Sequence, residues 1–240
     1  MSLIYLQIPE VRFMPSSTAS TPSCRCHKIN RPFILSGALD DPIWQQASTL
    51  ELYDIHGKPG RFKTQVRLLY DATFLYVGFT CEDTYVWGTI TERNGAIYEQ
   101  ECVEVFLNPA NARHQYYEIN VSPLNTVFDA CIINGRTPQT PQTPFYAFPS
   151  FDLKELHTAV KVLGEVNRPG AAKGWRAELA IPFAELPGAE HTPPQPGDVW
   201  RANFYRIDQP DRCEPEHYAW SRTDLVNFHL PWRFGCIKFD

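Results

Sequence analysis

The residues best equipped for chemistry gather where Tyr98 heads the run YEQECVE, which brings Glu99, Glu101 and Glu104 into one short stretch. Glycoside hydrolysis commonly needs two separated carboxyl groups, one as acid and one as base or nucleophile. Side chains of an extended segment alternate between faces, so Glu99 and Glu101 share a side only if the strand already begins there, and Glu104 takes the other. Closeness in sequence therefore defines no catalytic pair. Binding is the stronger alternative. Tyr98 in NGAIYEQE and Trp220 in HYAWSRTD are rings in polar settings; a flat ring covers the C–H face of a pyranose while nearby carboxylates, amides and guanidinium groups pair with its hydroxyls. Spacing alone favours a structural role for each ring. Two polar rows could also line a cleft, Arg176 with Glu178 and Arg201 with Asn203 and Tyr205. Asn203 and Arg206 gain interest from lying near the segment that leads to Trp220.

Metal chemistry has weaker support. Cys24, Cys26 and His27 form a CRCH cluster, half of a zinc site with no second pair at the usual spacing. The seven cysteines are odd in number, and Cys81, Cys102, Cys131 and Cys236 lie in or beside apolar runs, as buried free thiols do. Asp40, Asp41 and Asp83 offer hard oxygens to calcium without a loop of fixed spacing, and short acidic side chains commonly cap turns.

The elements that must position these groups are strands. TQVRLLY and TFLYVGFTCED alternate about an Asp71–Ala72 turn and predict a hairpin. ECVEVFLNP, QYYEINVSP, NTVFDACIING, KVLGEV, GWRAELAIP, DVWRANFYRID and GCIKF continue the pattern. Short helical turns are expected at Pro42–Ala47, where proline suits a first helical position, and at PFAELPG. Residues 138–149, PQTPQTPFYAFP, are too rich in proline for a central strand and predict a long ordered loop or an edge excursion. Many short strands with turn-rich connections predict an all-β fold, a two-sheet antiparallel β-sandwich with long Pro-rich loops. The 240 residues suffice for one such domain, with residues 1–30 as an irregular lead-in and 31–240 as the domain proper.

A formal charge of -5 without a long basic run argues against nucleic acid as partner. No stretch reaches the roughly 20 apolar residues of a membrane-spanning helix, so no membrane partner is expected. MSLIYLQIPEVRF lacks a positive region before its apolar residues and does not read as a signal peptide, which favours the cytoplasm.

From Phe33 to Phe239 the chain resembles the family 9 carbohydrate-binding modules, in particular stand-alone family 9-like proteins. The resemblance rests on the number and order of SGALDDPIW, VRLLYDATFLYVGFTCED, TERNGAIYEQECVEVFLNP, YYEINVSPLNTVFD, GWRAELAIPFAEL, WRANFYRID, YAWS and FHLPWRFGCIKF. It implies a β-sandwich without catalytic activity or organic cofactor, with bound calcium steadying its loops, and one or two sugars held between two aromatic rings. By motif position those rings are Tyr98, where the family pattern has tryptophan, and Trp220; Glu104 and Asn120 would orient hydroxyls. The pattern has arginine where this chain has Glu118, exchanging a five-donor fork for an acceptor. Either another cation, Arg93 or Arg206, takes its place, or the ligand differs. The expected function is non-catalytic binding of a mono- or disaccharide unit or glycan terminus by Tyr98, Glu104, Glu118, Asn120, Asn203, Arg206 and Trp220. The alternatives are a structural or protein-interaction domain that has lost sugar binding, and a glycoside hydrolase using the acidic residues at 99–104.

Overall fold

The computed structural model describes residues 21–112, 114–209 and 214–240; most of the lead-in and the seventh cysteine, Cys213, lie outside them. Its strands in chain order are β1 (Ser23–Lys28), β2 (Thr49–Asp54), β3 (Thr64–Tyr70), β4 (Phe74–Cys81), β5 (Cys102–Asn108), β6 (Gln115–Val121) and β7 (Val127–Asn134). They continue as β8 (Phe145–Phe148), β9 (His157–Gly164), β10 (Ala172–Pro182), β11 (Val199–Asp208), β12 (Glu216–Ala219) and β13 (Gly235–Phe239). Short 3₁₀ turns stand at Pro42–Gln46 and Phe183–Glu185, where helical turns are expected. The β3–β4 hairpin is present, and Asp71 builds its turn by accepting the N–H groups of Thr73 and Phe74 and the hydroxyl of Tyr76.

The two-sheet antiparallel sandwich does not form. Hydrogen bonding runs unbroken in the order β8-β7-β6-β5-β11-β12-β2-β3-β4-β10-β9. In addition β1 pairs with both β13 and β3, and β13 pairs with β11. The strands β11, β12, β2, β3, β1 and β13 therefore close a six-strand barrel. From it extend two flanks, β5 to β8 beyond β11 and β4, β10 and β9 beyond β3. Pairing is not antiparallel throughout either, since β1 runs parallel to both its neighbours. The strands that close the ring include β1, β2 and β12, which are short and half-exposed, so their alternation is faint in the sequence. The proline-dense stretch is not only loop: its end forms β8, at the outer edge beside β7, where a strand may leave backbone groups unpaired.

Apolar alternation fills the space between the flanks. Val103, Val105, Ile119 and Phe204 from one side meet Val77, Phe79, Ala177 and Leu179 from the other in the main core. Full burial of a large apolar side chain of this kind contributes roughly 1.5–3 kcal/mol. Glu178 is buried beneath the segment that precedes β2. It accepts the Ser36 N–H at 2.8 Å and the Trp44 indole N–H at 2.7 Å, and Arg176 donates to the Ala38 carbonyl. This row of β10 is thus a latch for residues 36–44 and lines no cleft. Near the start of β10, Gly174 has φ +127° within a register shift, and a Cβ there would lie 2.0 Å from the Cys81 carbonyl oxygen.

Candidate functional site

The site stands on the outer face of the β11-β5-β6-β7-β8 flank, and strand parity selects what it displays. Register sets Tyr205 beside Glu104, Glu104 beside Asn120 and Asn120 beside Phe128, one row across four strands. The adjacent row is Asn203, Phe106, Glu118 and Ala130. Odd-numbered residues of β5 and even-numbered ones of β11 turn the other way, into the main core.

Above these rows opens a cleft of ≈ 350 Å³ with Glu104 and Glu118 in its lining, within the usual range of small-molecule pockets. Tyr98 rises from the 3₁₀ turn Ile97–Glu99 with 43% of its surface exposed and meets Phe128 edge-on, centroids 5.3 Å apart. Phe145 of β8 stacks on His229 at 3.8 Å, and Phe228 stacks on Tyr205 at 4.0 Å. His217 of β12 completes the wall.

The floor is electrostatically unusual. Glu104 is 2% exposed and Glu118 5%, and they are diagonal neighbours on adjacent strands. Glu118 Oε1 accepts from Asn120 at 2.9 Å, while among the described residues the only side-chain partner of Glu104 is the weak Cys102 thiol at 3.6 Å. Burial pushes the Glu118 carboxyl up to about 7, against which the Asn120 hydrogen bond works. Burial, and then the charge of Glu118, raises Glu104 well above the ordinary carboxylate range. His229 Nε2 lies 3.9 Å from Glu118, too far to hydrogen-bond. Burial, and then Arg136, holds His229 down at about 3, so at neutral pH it is an uncharged ring. Burial also lowers His217. Asn134 donates to the Tyr116 oxygen, whose O–H can then donate to His229 Nδ1 at 2.7 Å; that arrangement leaves the ring proton on Nε2, toward Glu118.

Of the residues singled out in sequence, Tyr98, Glu104 and Glu118 meet in this cleft, with Asn120 buried directly behind them. Asn203, Arg206 and Trp220 do not join them, nor does Arg93. Asn203 is fully buried and clamps Ser221, donating to its carbonyl and accepting its N–H. Arg206 faces the opposite side of β11, at the centre of a buried ion cluster, and is no substitute for the missing family arginine. Arg93 is committed to Asp129 at 2.9 Å and Asp152 at 2.7 Å. Trp220 packs on Phe204 at 5.7 Å and lines a separate pocket with Tyr53 and Trp232. The walls that sequence reasoning missed, Phe128, Phe145, Phe228, His217 and His229, carried partial signals. Phe128 shares the parity of Asn120's neighbours, and Phe228 with His229 opens the FHLPWRF motif.

The hydrolase alternative finds no arrangement to serve it. Glu99 is exposed, Glu101 is buried in the main-core face and Glu104 floors the cleft, so the three do not converge. The CRCH cluster does not converge either: Cys24 and Cys26 enter the core, where burial pushes the Cys24 thiol up to about 12, and His27 pairs with Asp240. Asp40 and Asp41 accept from Ser36 and the Ile43 N–H, as turn-capping groups do.

One acidic cluster does converge. Asp83, Glu101 and Asp208 place one oxygen each within 4.8 Å of one another, a set that could coordinate a divalent cation. Arg206 stands among them, its Nη2 2.7 Å from Asp83, 3.2 Å from Glu101 and 3.6 Å from Asp208. Asp83 also accepts from the Tyr85 N–H and Glu101 from the Trp87 N–H, whereas Asp208 Oδ1 has no partner.

The family model for carbohydrate-binding family 9 matches residues 44–239. The chain belongs to that family. As a member it is a non-catalytic carbohydrate-binding module, and the barrel with two flanks is its fold here. A search of curated proteins returns no match. Among solved structures the module is similar to a protein from Bacteroides uniformis provisionally described as carbohydrate-binding, with TM-score 0.73, 18% identity, and coverage of 92% of this chain and 100% of that one. It is also similar to a family 9 module from Caldicellulosiruptor kristjanssonii, solved with cellotriose (TM-score 0.63, 18% identity, 90% of this chain and 94% of that one) and with glucose (TM-score 0.62, 18% identity, 90% and 96%). Among the described residues no helix is long and apolar enough to cross a membrane.

Proposed function

We propose that the module binds a mono- or disaccharide unit, or a glycan terminus, in the cleft between Tyr98 and the Phe145–His229 stack. The observation that carries this reading is the meeting of exposed ring faces with buried carboxyls in one cleft of suitable size. Tyr98 supplies the stacking face, Glu104 and Glu118 take the polar groups of the sugar, and Asn120 steadies Glu118. The sugars named with the Caldicellulosiruptor complexes, cellotriose and glucose, support the ligand class. Trp220 has no part in the cleft. Calorimetric titration with glucose, cellobiose and xylobiose tests the reading. Tyr98→Ala, still folded, is expected to lose about tenfold in affinity or more, roughly 1.4 kcal/mol, whereas Trp220→Ala keeps its sugar affinity. Loss in Trp220→Ala with retention in Tyr98→Ala would move the site to the pocket lined by Tyr53, Trp220 and Trp232.

Calcium belongs to this proposal only at Asp83, Glu101 and Asp208. Their hard oxygens suit it, and the unpartnered Asp208 Oδ1 is a free donor. Arg206 already stands among the same carboxylates, so the ion competes with a guanidinium that is part of the fold, and sugar binding does not depend on it.

A further inference from the structure

The two carboxyls of the cleft face an imbalance that the protein itself does not correct. Glu104 and Glu118 are almost wholly removed from water, and a buried carboxylate is costly unless a cation or several donors meet it. The two histidines of the wall are held neutral by burial, and Cys102 and Tyr205, behind the floor, are kept protonated by the same cause. Tyr116 and Tyr98 are shifted upward likewise. Arg136 lies over the Phe145 ring and donates to the Thr143 carbonyl and to Asn227 Oδ1, which turns its guanidinium to neutral partners and not to the two glutamates. Arg206 and Arg93 are bound to other carboxylates. Among the described residues no lysine or arginine lines the cleft.

An acidic floor under aromatic walls is therefore a receptor for positive charge, since ring faces attract cations as well as cover sugar carbons. We propose that the sugar recognised here is an amino sugar whose protonated amine sits between Glu104 and Glu118 and serves as their counter-ion. This rests on the cleft being the sugar site, and it specifies the ligand class. It also gives a reason for glutamate at 118: a guanidinium at that position would repel an ammonium, and a carboxylate pairs with it. The exposed ring of Tyr98 is left to cover a face of the pyranose.

A proton shared between the two glutamates would also relieve them, and it would make the floor a donor to neutral hydroxyls. The two arrangements respond oppositely to pH. A neutral sugar bound through the shared proton weakens as pH rises and the pair ionises. An amino sugar strengthens as pH rises, until its own amine loses its proton.

The test is calorimetric titration of the intact protein with glucosamine, glucose, N-acetylglucosamine and cyclohexylamine, at slightly acid and at neutral pH. The expected result is glucosamine bound about tenfold or more tightly than glucose, with N-acetylglucosamine as weak as glucose, cyclohexylamine weaker than glucosamine, and the preference growing toward neutral pH. In Glu118→Gln, checked for folding by its thermal transition, the ratio of glucosamine to glucose affinity should collapse toward one. Equal or stronger binding of glucose by the unmodified protein overturns the amino-sugar assignment and leaves the sugar site standing. Cyclohexylamine binding as tightly as glucosamine shows a cation site without sugar selectivity, and likewise overturns it. Binding of none of the three sugars overturns both this inference and the sugar reading of the cleft.

Discussion

Glu118 is a residue that works against the fold. Its pKa lies above the value for an exposed carboxyl because burial disfavours the charged form. A group whose folded-state pKa is raised binds its proton more tightly in the native state, so its contribution is most favourable at acid pH and is lost as pH rises from about 4.5 toward about 7. Replacing it with an isosteric amide removes that dependence. The melting temperature of Glu118→Gln should therefore exceed that of the unmodified protein by a margin that grows between those pH values; a constant margin would show that Glu118 does not titrate on folding. At this scale the site was half legible. Tyr98, Glu104 and Glu118 stand where motif and alternation put them. Motif position and proximity in sequence do not report parity, which turns Arg206 with Ala202 and Phe204, both of them core residues, away from the cleft, and Trp220 follows Phe204 to the same side.

Strands with strong alternation on a buried face, such as β3, β5 and β10, were readable because their apolar rows recur at every second residue. β1, β2 and β12 were not. In β1 only Cys24 and Cys26 alternate inward between Ser23, Arg25 and His27, too short an apolar row to stand out, and β1 also obtains both its partners in parallel from distant parts of the chain, a pairing that no local pattern announces. These are the strands that turn an expected sandwich into a barrel. A different local demand appears at Gly174, whose conformation and contact with the Cys81 backbone admit no side chain. Gly174→Ala should destabilise the protein by at least about 2 kcal/mol, through strained backbone and a forced shift of β4. Urea denaturation would measure it, and a loss below about 0.5 kcal/mol would mean that the bulge can relax.

At the scale of the molecule, the Arg206 cluster joins parts that hydrogen-bonded strands hold only at their ends. Arg206 of β11 reaches Asp83 and the Glu82 carbonyl after β4, Glu101 before β5, and Thr64 of β3, so it bridges both flanks and the barrel. Such a centre has its own cation. Millimolar calcium against a chelator is accordingly expected to leave the thermal transition unchanged within about 1 °C, whereas a ligand that binds only the folded state raises it with concentration. A clear rise with calcium would show that the ion displaces Arg206 and that the cluster is a metal site.

The strand β1 gives the barrel a mechanical property as well. It lies parallel to β13, with Ser23 beside Cys236 and Cys26 beside Phe239, so the first and last strands of the described chain are neighbours pointing the same way. Tension applied between the start of β1 and the end of β13 would slide them past one another, loading their ladder bonds together and not one at a time. Resistance to such a pull is a matter of unfolding rate. The seam that closes the barrel is thus also its shear clamp, and a glycan-bound module tugged through its two ends would carry the load there, away from the cleft.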